Sequence, residues 1–242
     1  MYPTLWATEG PPSREACSVA VVPAGSCVAA RLRSAPMSWF MATIYDRFMR
    51  DMERACGDAW RRELVAELRG DVLEIGAGTG KNLEHYRDLE RLVLAEPDPH
   101  MRRRLADKVA QTSTRARTVG VVTWSAEHLE SEARSFDAVV CTLVLCSVRD
   151  VKRSLDEIRR VLRPEGKLVF LEHVAAEEPS RLAWQRRTEP LWKLVAGNCH
   201  LCRDTARSIE EAGFRFDRIT RESARKALPI VRPTIRGIAI AP

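Results

Sequence analysis

Val72-Leu73-Glu74-Ile75-Gly76-Ala77-Gly78-Thr79-Gly80 is the stretch that decides the fold of this 242-residue chain. A short apolar strand carries one acid and runs into glycines at alternate positions. Glycine lets the backbone turn sharply and lets a ligand approach it closely. The spacing then narrows the reading. A dinucleotide-binding turn needs Gly-x-Gly-x-x-Gly, which seats a pyrophosphate on a helix N-terminus; here the third glycine arrives one residue early. A phosphate-binding loop fails too, because Gly80-Lys81 is followed by Asn82 in place of Ser or Thr. An acid just ahead of the glycines suits a ligand that bears positive charge.

The next apolar run, Leu92-Val93-Leu94-Ala95, is followed by Glu96. A carboxylate there can accept hydrogen bonds from both hydroxyls of a ribose. Glu74 and Glu96 are 22 residues apart, one β-α-β step. Both therefore fall at the carboxyl ends of neighbouring strands, where open sheets bind ligands. A glycine loop alone is a weak signal; the loop with Glu96 at this offset is a much stronger one.

Outward from this centre the chain alternates. Strand-length apolar runs cover Val72–Ile75, Leu92–Ala95, Val119–Trp124, Ala138–Leu145 and Leu168–Leu171, and helical stretches cover Asn82–Arg87, His100–Val109 and Val151–Leu162. Continuous apolar strands between helices mean a parallel sheet covered on both faces. Phe214–Thr220 and Thr234–Ile240 follow as two late strands around a Pro-containing loop, which predicts an antiparallel edge strand. Upstream, Phe40, Ile44, Phe48 and Met52 recur every four residues, so an amphipathic helix begins near Trp39 and the helical pattern runs through Trp60, Leu64 and Leu68 to a stop at Gly70. One domain over 37–242 accounts for the pattern.

Composition agrees. At 45% apolar and 30% charged residues the chain can bury a core, and no apolar run reaches the roughly 18 residues of a membrane span. The net charge of +6 comes from Arg interleaved with Glu and Asp, as in Glu157-Ile158-Arg159-Arg160, which describes a solvated helix face and not a nucleic-acid surface. Seven cysteines are an odd number at low density, so no disulfide framework is implied and a cytoplasmic location is expected. Residues 1–36 are rich in proline and small residues and are expected to be a disordered extension, or lie ahead of a true start at Met37 or Met41. Glu9 and Glu15 beside a single Arg14 do not make a secretion signal.

The loop, Glu96 and the strand pattern together resemble the class I S-adenosylmethionine-dependent methyltransferases over about residues 70–173. The resemblance implies a Rossmann-like, seven-stranded, mostly parallel sheet with helices on both faces, and S-adenosylmethionine as cofactor. It implies cofactor contacts from Glu74, Gly76, Gly78, Gly80 and Glu96, from Ala126 and Glu127 in the segment flanking the adenine, and from Cys141 on the strand Phe136-Asp137-Ala138-Val139-Val140-Cys141. One departure is Glu165, where the family commonly has glycine before Gly166. Val140 to Val148, Glu172 to Glu177, Val231-Arg232-Pro233, Tyr45 to Met49 and Gly197 to Arg203 are similar to the methyltransferase-like-seven family, described as alkyl thiol methyltransferases. That likeness spans about residues 41–238. Animal members carry a hydrophobic N-terminal membrane anchor, and no comparable segment stands here.

The expected acceptor is accordingly a small hydrophobic molecule, with a thiol favoured. The alternatives are a quinone or phospholipid headgroup met at a membrane surface, to which the amphipathic Arg181–Gly197 stretch would dock, and a non-catalytic protein that binds S-adenosylmethionine. Nucleic acid is not expected: Cys141-Thr142-Leu143-Val144 stands where adenine N-methylases carry Asn/Asp-Pro-Pro-Tyr, and no Pro-Cys pair exists for base C5 chemistry. Catechol methylation through a metal needs carboxylates that Cys141–Val148 lacks. His173, at the predicted end of a strand on the ligand edge, is the candidate catalytic residue, since imidazole exchanges protons near neutral pH. Cys141 and Cys146 sit among apolar neighbours and are expected to pack as small hydrophobes. Cys199-His200-Leu201-Cys202 resembles half of a zinc site, but no second Cys/His pair follows in sequence, so no metal is expected.

Overall fold

The computed structural model describes residues 19–21, 50–112 and 115–242. Among the described residues eight strands form one sheet: β1 (Val19–Val21), β2 (Gly70–Ile75), β3 (Leu89–Ala95), β4 (Ala116–Val122), β5 (Phe136–Thr142), β6 (Leu162–His173), β7 (Arg215–Ser223) and β8 (Pro233–Ile240). Their order is β1-β4-β3-β2-β5-β6-β8-β7. Pairing is parallel from β1 to β6, and β8 runs antiparallel to both β6 and β7. The mostly parallel sheet expected from the alternation is present, in the Rossmann-like form the resemblance implies, with one difference. The antiparallel strand is β8, which inserts one place in from the edge and leaves β7 outside it. Strand β1 is a further short strand beyond β4. It lies within residues 1–36; the rest of that stretch, and Phe40, Ile44 and Phe48 of the expected first helix, fall outside the described residues.

Among the described residues the sheet is flanked by helices α1 (Asp58–Val65), α2 (Pro99–Gln111), α3 (Val151–Val161), α4 (Pro179–Val195) and α5 (Thr205–Glu211). A π-helical turn, Glu53–Gly57, leads into α1. Helix α2 starts where Pro99 follows Asp98, whose carboxylate accepts from His100 N and Met101 N at 2.9 Å each. Asp150 caps α3 in the same way through Arg153 N. Where a longer helix was expected over Asn82–Arg87, only a 3₁₀ turn at Leu83–His85 forms, because Asn82 is drawn into the core by Glu74.

Strand alternation sends neighbours to opposite faces. Leu73, Ile75, Val139, Cys141 and Phe170 pack with Leu155 and Ile158 of α3 and Ile209 of α5. Val72, Leu94, Val140 and Val169 pack on the other face with Trp60 and Leu64 of α1 and Leu105 and Val109 of α2. Central strands are thus apolar on both faces, as a sheet covered by helices requires. Glu74 shares the face of Val72 and is carried into that second core.

Candidate active site

The chain leaves β2 through Gly76, Gly78 and Gly80, all at positive φ (+61°, +57° and +79°). The glycines serve two different ends. A Cβ on Gly76 would lie 2.6 Å from Val144 Cγ2, and one on Gly80 would lie 2.7 Å from Leu83 Cδ1. Those two let the loop close onto the turn after β5 and onto the 3₁₀ turn. A Cβ on Gly78 would meet nothing nearer than Gly76 O at 3.9 Å. Its bare side faces open space, a cradle that a side chain would fill.

Glu96 ties this loop to β3. One carboxylate oxygen accepts from Gly78 N and the other from Asp98 N, both at 2.8 Å. Burial pushes its pKa upward against these two N–H donors, which lower it. A carboxylate offers about four acceptor sites, so Glu96 retains capacity for a ligand's hydroxyls. Gly78 and Glu96 are therefore brought together at the carboxyl ends of β2 and β3.

Glu74 has a different position from the one its place in sequence suggests. It is 1% exposed and lies beneath the loop, accepting from Asn82 Nδ2 at 2.9 Å and Tyr86 Oη at 2.8 Å. Burial raises its pKa to about 7, opposed by the Tyr86 hydroxyl, the Arg61 charge and Asn82. Arg61 completes the network by donating to Asn82 Oδ1, Thr142 Oγ1 and Glu53. The acid thus braces the loop from behind. Sequence reasoning missed Arg61, Asn82, Tyr86 and Thr142. Their signal was a buried acid in the middle of an apolar strand, which must find donors.

Ala126 is buried beside the same edge, and Glu127 Oε1 accepts from Arg149 N at 2.9 Å, joining the segment after β4 to the turn before α3. Cys141 pairs in register with Ile75 and is fully buried. Burial pushes its thiol pKa well up, with the Glu172 and Glu74 charges adding to the rise, so it presents an uncharged apolar surface.

The turn after β5 is built on Glu172, a third buried acid near a strand end. Its carboxylate accepts from Val144 N, Leu145 N and Cys146 N at 2.9, 2.9 and 3.1 Å. Leu143 takes a left-handed φ of +61° to enter this turn. His173 follows at the end of β6 as expected, and its Nε2 lies 3.0 Å from Cys199 Sγ. Cys146, expected to be a packing residue, joins them: the ligand atoms of Cys146, His173 and Cys199 all lie within 4.8 Å of one another. Cys202 is not part of this group; its backbone N–H donates to Glu189 Oε2 at 2.8 Å. Helix α4 is fastened nearby by Gln185, which bonds Ala176 N, Val174 O and Ile230 O. It leaves Trp184, Leu191, Leu194 and Val195 exposed. Among the described residues no helix is long and apolar enough to cross a membrane.

A family model described as a methyltransferase domain matches residues 73–170. Thiol S-methyltransferase TMT1B of Rattus norvegicus is 36% identical over 185 residues, covering 73% of this chain and 74% of the relative. Thiol S-methyltransferase TMT1B of Homo sapiens is 35% identical over 212 residues, covering 84% of each. Among solved structures, N-methyltransferase NodS from Bradyrhizobium japonicum WM9 matches with a TM-score of 0.58 at 16% identity, over 79% of this chain and 97% of that one. That last likeness is one of fold.

Proposed function

This chain belongs to the thiol S-methyltransferase family of class I S-adenosylmethionine-dependent methyltransferases, and from that premise we propose that it methylates the sulfur of a small hydrophobic thiol. S-adenosylmethionine, when bound, supplies a methyl group on a positively charged sulfur that is already activated toward attack. The residues of this chain fit such a group: Gly78 leaves room against the backbone, and Glu96 has acceptor capacity beside it. In this reading Glu96 holds the ribose hydroxyls and Gly76, Gly78 and Gly80 shape the cradle. Ala126, Glu127 and Cys141 form the surroundings of the nucleoside. Glu74 acts through Asn82 and Tyr86, as a positioning residue for the loop.

Little further machinery is needed for a thiol. A thiolate is a strong nucleophile once formed, and the protein's task is to align the two sulfurs across the methyl and to keep water out. The apolar edge made by Cys141, Val144 and Leu145 supports that dry setting. The exposed apolar side chains of α4 support entry of a hydrophobic acceptor, or contact with a lipid surface that stores one. The single observation that carries the thiol assignment is the identity of about a third, over most of both chains, to relatives named for that reaction.

The test is transfer of labelled methyl from S-adenosylmethionine to a panel of alkyl thiols, phenols, quinones and phospholipids. Labelled thioether from the thiols is the expected product. Label confined to oxygen or carbon acceptors would overturn the assignment.

A further inference from the structure

We propose that Cys146, Cys199 and His173 form a binding site for one zinc ion, coordinated through two Sγ atoms and Nε2 and leaving one position for the acceptor sulfur. Three separate segments supply the ligands: the turn after β5, the loop after α4 and the last residue of β6. No sequence spacing announces such a set, and the tempting Cys199–Cys202 pair is not the one that forms.

Geometry carries the inference. Zinc binds thiolate sulfur at about 2.3 Å and imidazole nitrogen at about 2.0–2.1 Å, so a tetrahedral site has ligand–ligand edges of about 3.5–3.8 Å. Here the three ligand atoms fall within 4.8 Å of one another, and the His173 Nε2 to Cys199 Sγ edge is 3.0 Å. Small side-chain rotations would open that edge to admit an ion. Cys146 and Cys199 are 1% and 3% exposed, while His173 is partly exposed. Two thiolates and a neutral imidazole around a divalent cation give a centre of zero net charge, which a buried position tolerates.

The surroundings hold the ligands by bonds that need no ion. Glu172 fixes Cys146 N, His200 N donates to Cys146 O at 2.8 Å, and Asn198 Nδ2 donates to Ser147 O at 3.0 Å. Trp192 Nε1 lies 3.2 Å from Cys199 Sγ. An indole N–H can only donate, so that sulfur is presented as an acceptor, the role of a metal-bound thiolate and a common outer partner of metal ligands.

Three protein ligands with a fourth position open is the pattern of a catalytic zinc centre and not of a structural one. The turn bearing Cys146 packs through Val144 on Gly76, so the centre adjoins the cofactor loop. This part of the inference rests on the thiol reading above. The acceptor's S–H proton leaves to solvent as its sulfur binds the ion. A lone pair on that sulfur then forms the new S–CH3 bond as the methyl–sulfonium bond breaks, and its electron pair stays with the cofactor sulfur, leaving a neutral thioether.

The experiment uses the full chain purified under reducing conditions and dialysed against zinc or cobalt(II). About one ion per chain is expected, with the thiolate-to-metal charge-transfer and tetrahedral ligand-field bands of cobalt, and with those bands shifting when an alkyl thiol is added. Cys146→Ser with Cys199→Ser should lose the ion, Cys202→Ser should keep it, and Trp192→Phe should weaken it about tenfold. The unmodified chain's cobalt spectrum decides the matter even if the double variant fails to fold. Absence of stoichiometric metal with reduced thiols, a spectrum without thiolate bands, or a Cys146–Cys199 disulfide in place of metal uptake would overturn the site. Metal bound with thiolate bands that ignore added thiol would overturn the open position. Metal binding without methyl transfer to thiols would instead count against the functional reading alone, because the two assays are independent.

Discussion

Glu74 sits opposite Leu94 just inside the end of β2 and Glu96 sits one residue past the end of β3, and their surroundings give them different work. Glu96 meets two backbone N–H groups and the open side of Gly78. Glu96→Ala is expected to weaken S-adenosylmethionine binding by roughly 1–3 kcal/mol, the cost of leaving buried donors unpaired; calorimetry with unchanged affinity would remove it from the site. Glu74 meets side chains in a closed core, and burial lifts its pKa from an ordinary 4.5 to about 7. Between those values the folded chain keeps a proton that the unfolded chain has lost. Stability from this group therefore falls as pH rises from about 4.5 to 7, by at most about 3.5 kcal/mol at roughly 1.4 kcal/mol per pH unit. Glu74→Gln should flatten that slope in denaturant unfolding followed across pH, and an identical slope would contradict the account. The offset between the two acids was legible in the sequence. Their division of labour was not, because it depends on Asn82 and Tyr86 folding back under the strand.

At the scale of elements, β6 records where a local rule is broken. Between the pairs Phe136–Leu162 and Ala138–Lys167 the strand carries extra residues. They are accommodated by Glu165 at φ +58° and by Gly166, where a Cβ would lie 2.8 Å from Arg163 O. An L-residue in the left-handed region is disfavoured by about 1–2 kcal/mol. Glu165→Gly should therefore raise stability, by up to about 1 kcal/mol after the extra unfolded-state freedom of glycine is subtracted. A lower midpoint in urea would show that the Glu165 side chain contributes more than its backbone costs. The strands β2 to β5 were legible because apolar runs bounded by glycine or acids repeat between helices. The stretch Asn82–Arg87 was misleading: its composition is helical, but Gly80 packing on Leu83 and the pull of Glu74 on Asn82 allow only a single 3₁₀ turn. The place of β8 was likewise hidden, since nothing in two late strands says which one enters the sheet first.

Across the whole molecule, the strand order brings four separated stretches to one edge: the glycine loop, Glu96, the turn after β5 and the end of β6. The first two were readable together because one β-α-β step fixes their separation. The Cys146–His173–Cys199 grouping was not readable, because it depends on α4 returning Cys199 over that edge, a tertiary event without a local signature. Cofactor binding in this molecule depends on the cradle at Gly78. The most direct measurement is calorimetric titration of the full chain with S-adenosylmethionine, beside Gly78→Val, whose side chain would fill the open space and strain the positive φ. The expected result is one saturable site per chain, abolished in the variant while both proteins unfold cooperatively. No binding by the unmodified chain at millimolar ligand, or equal affinity in the two proteins, would contradict it.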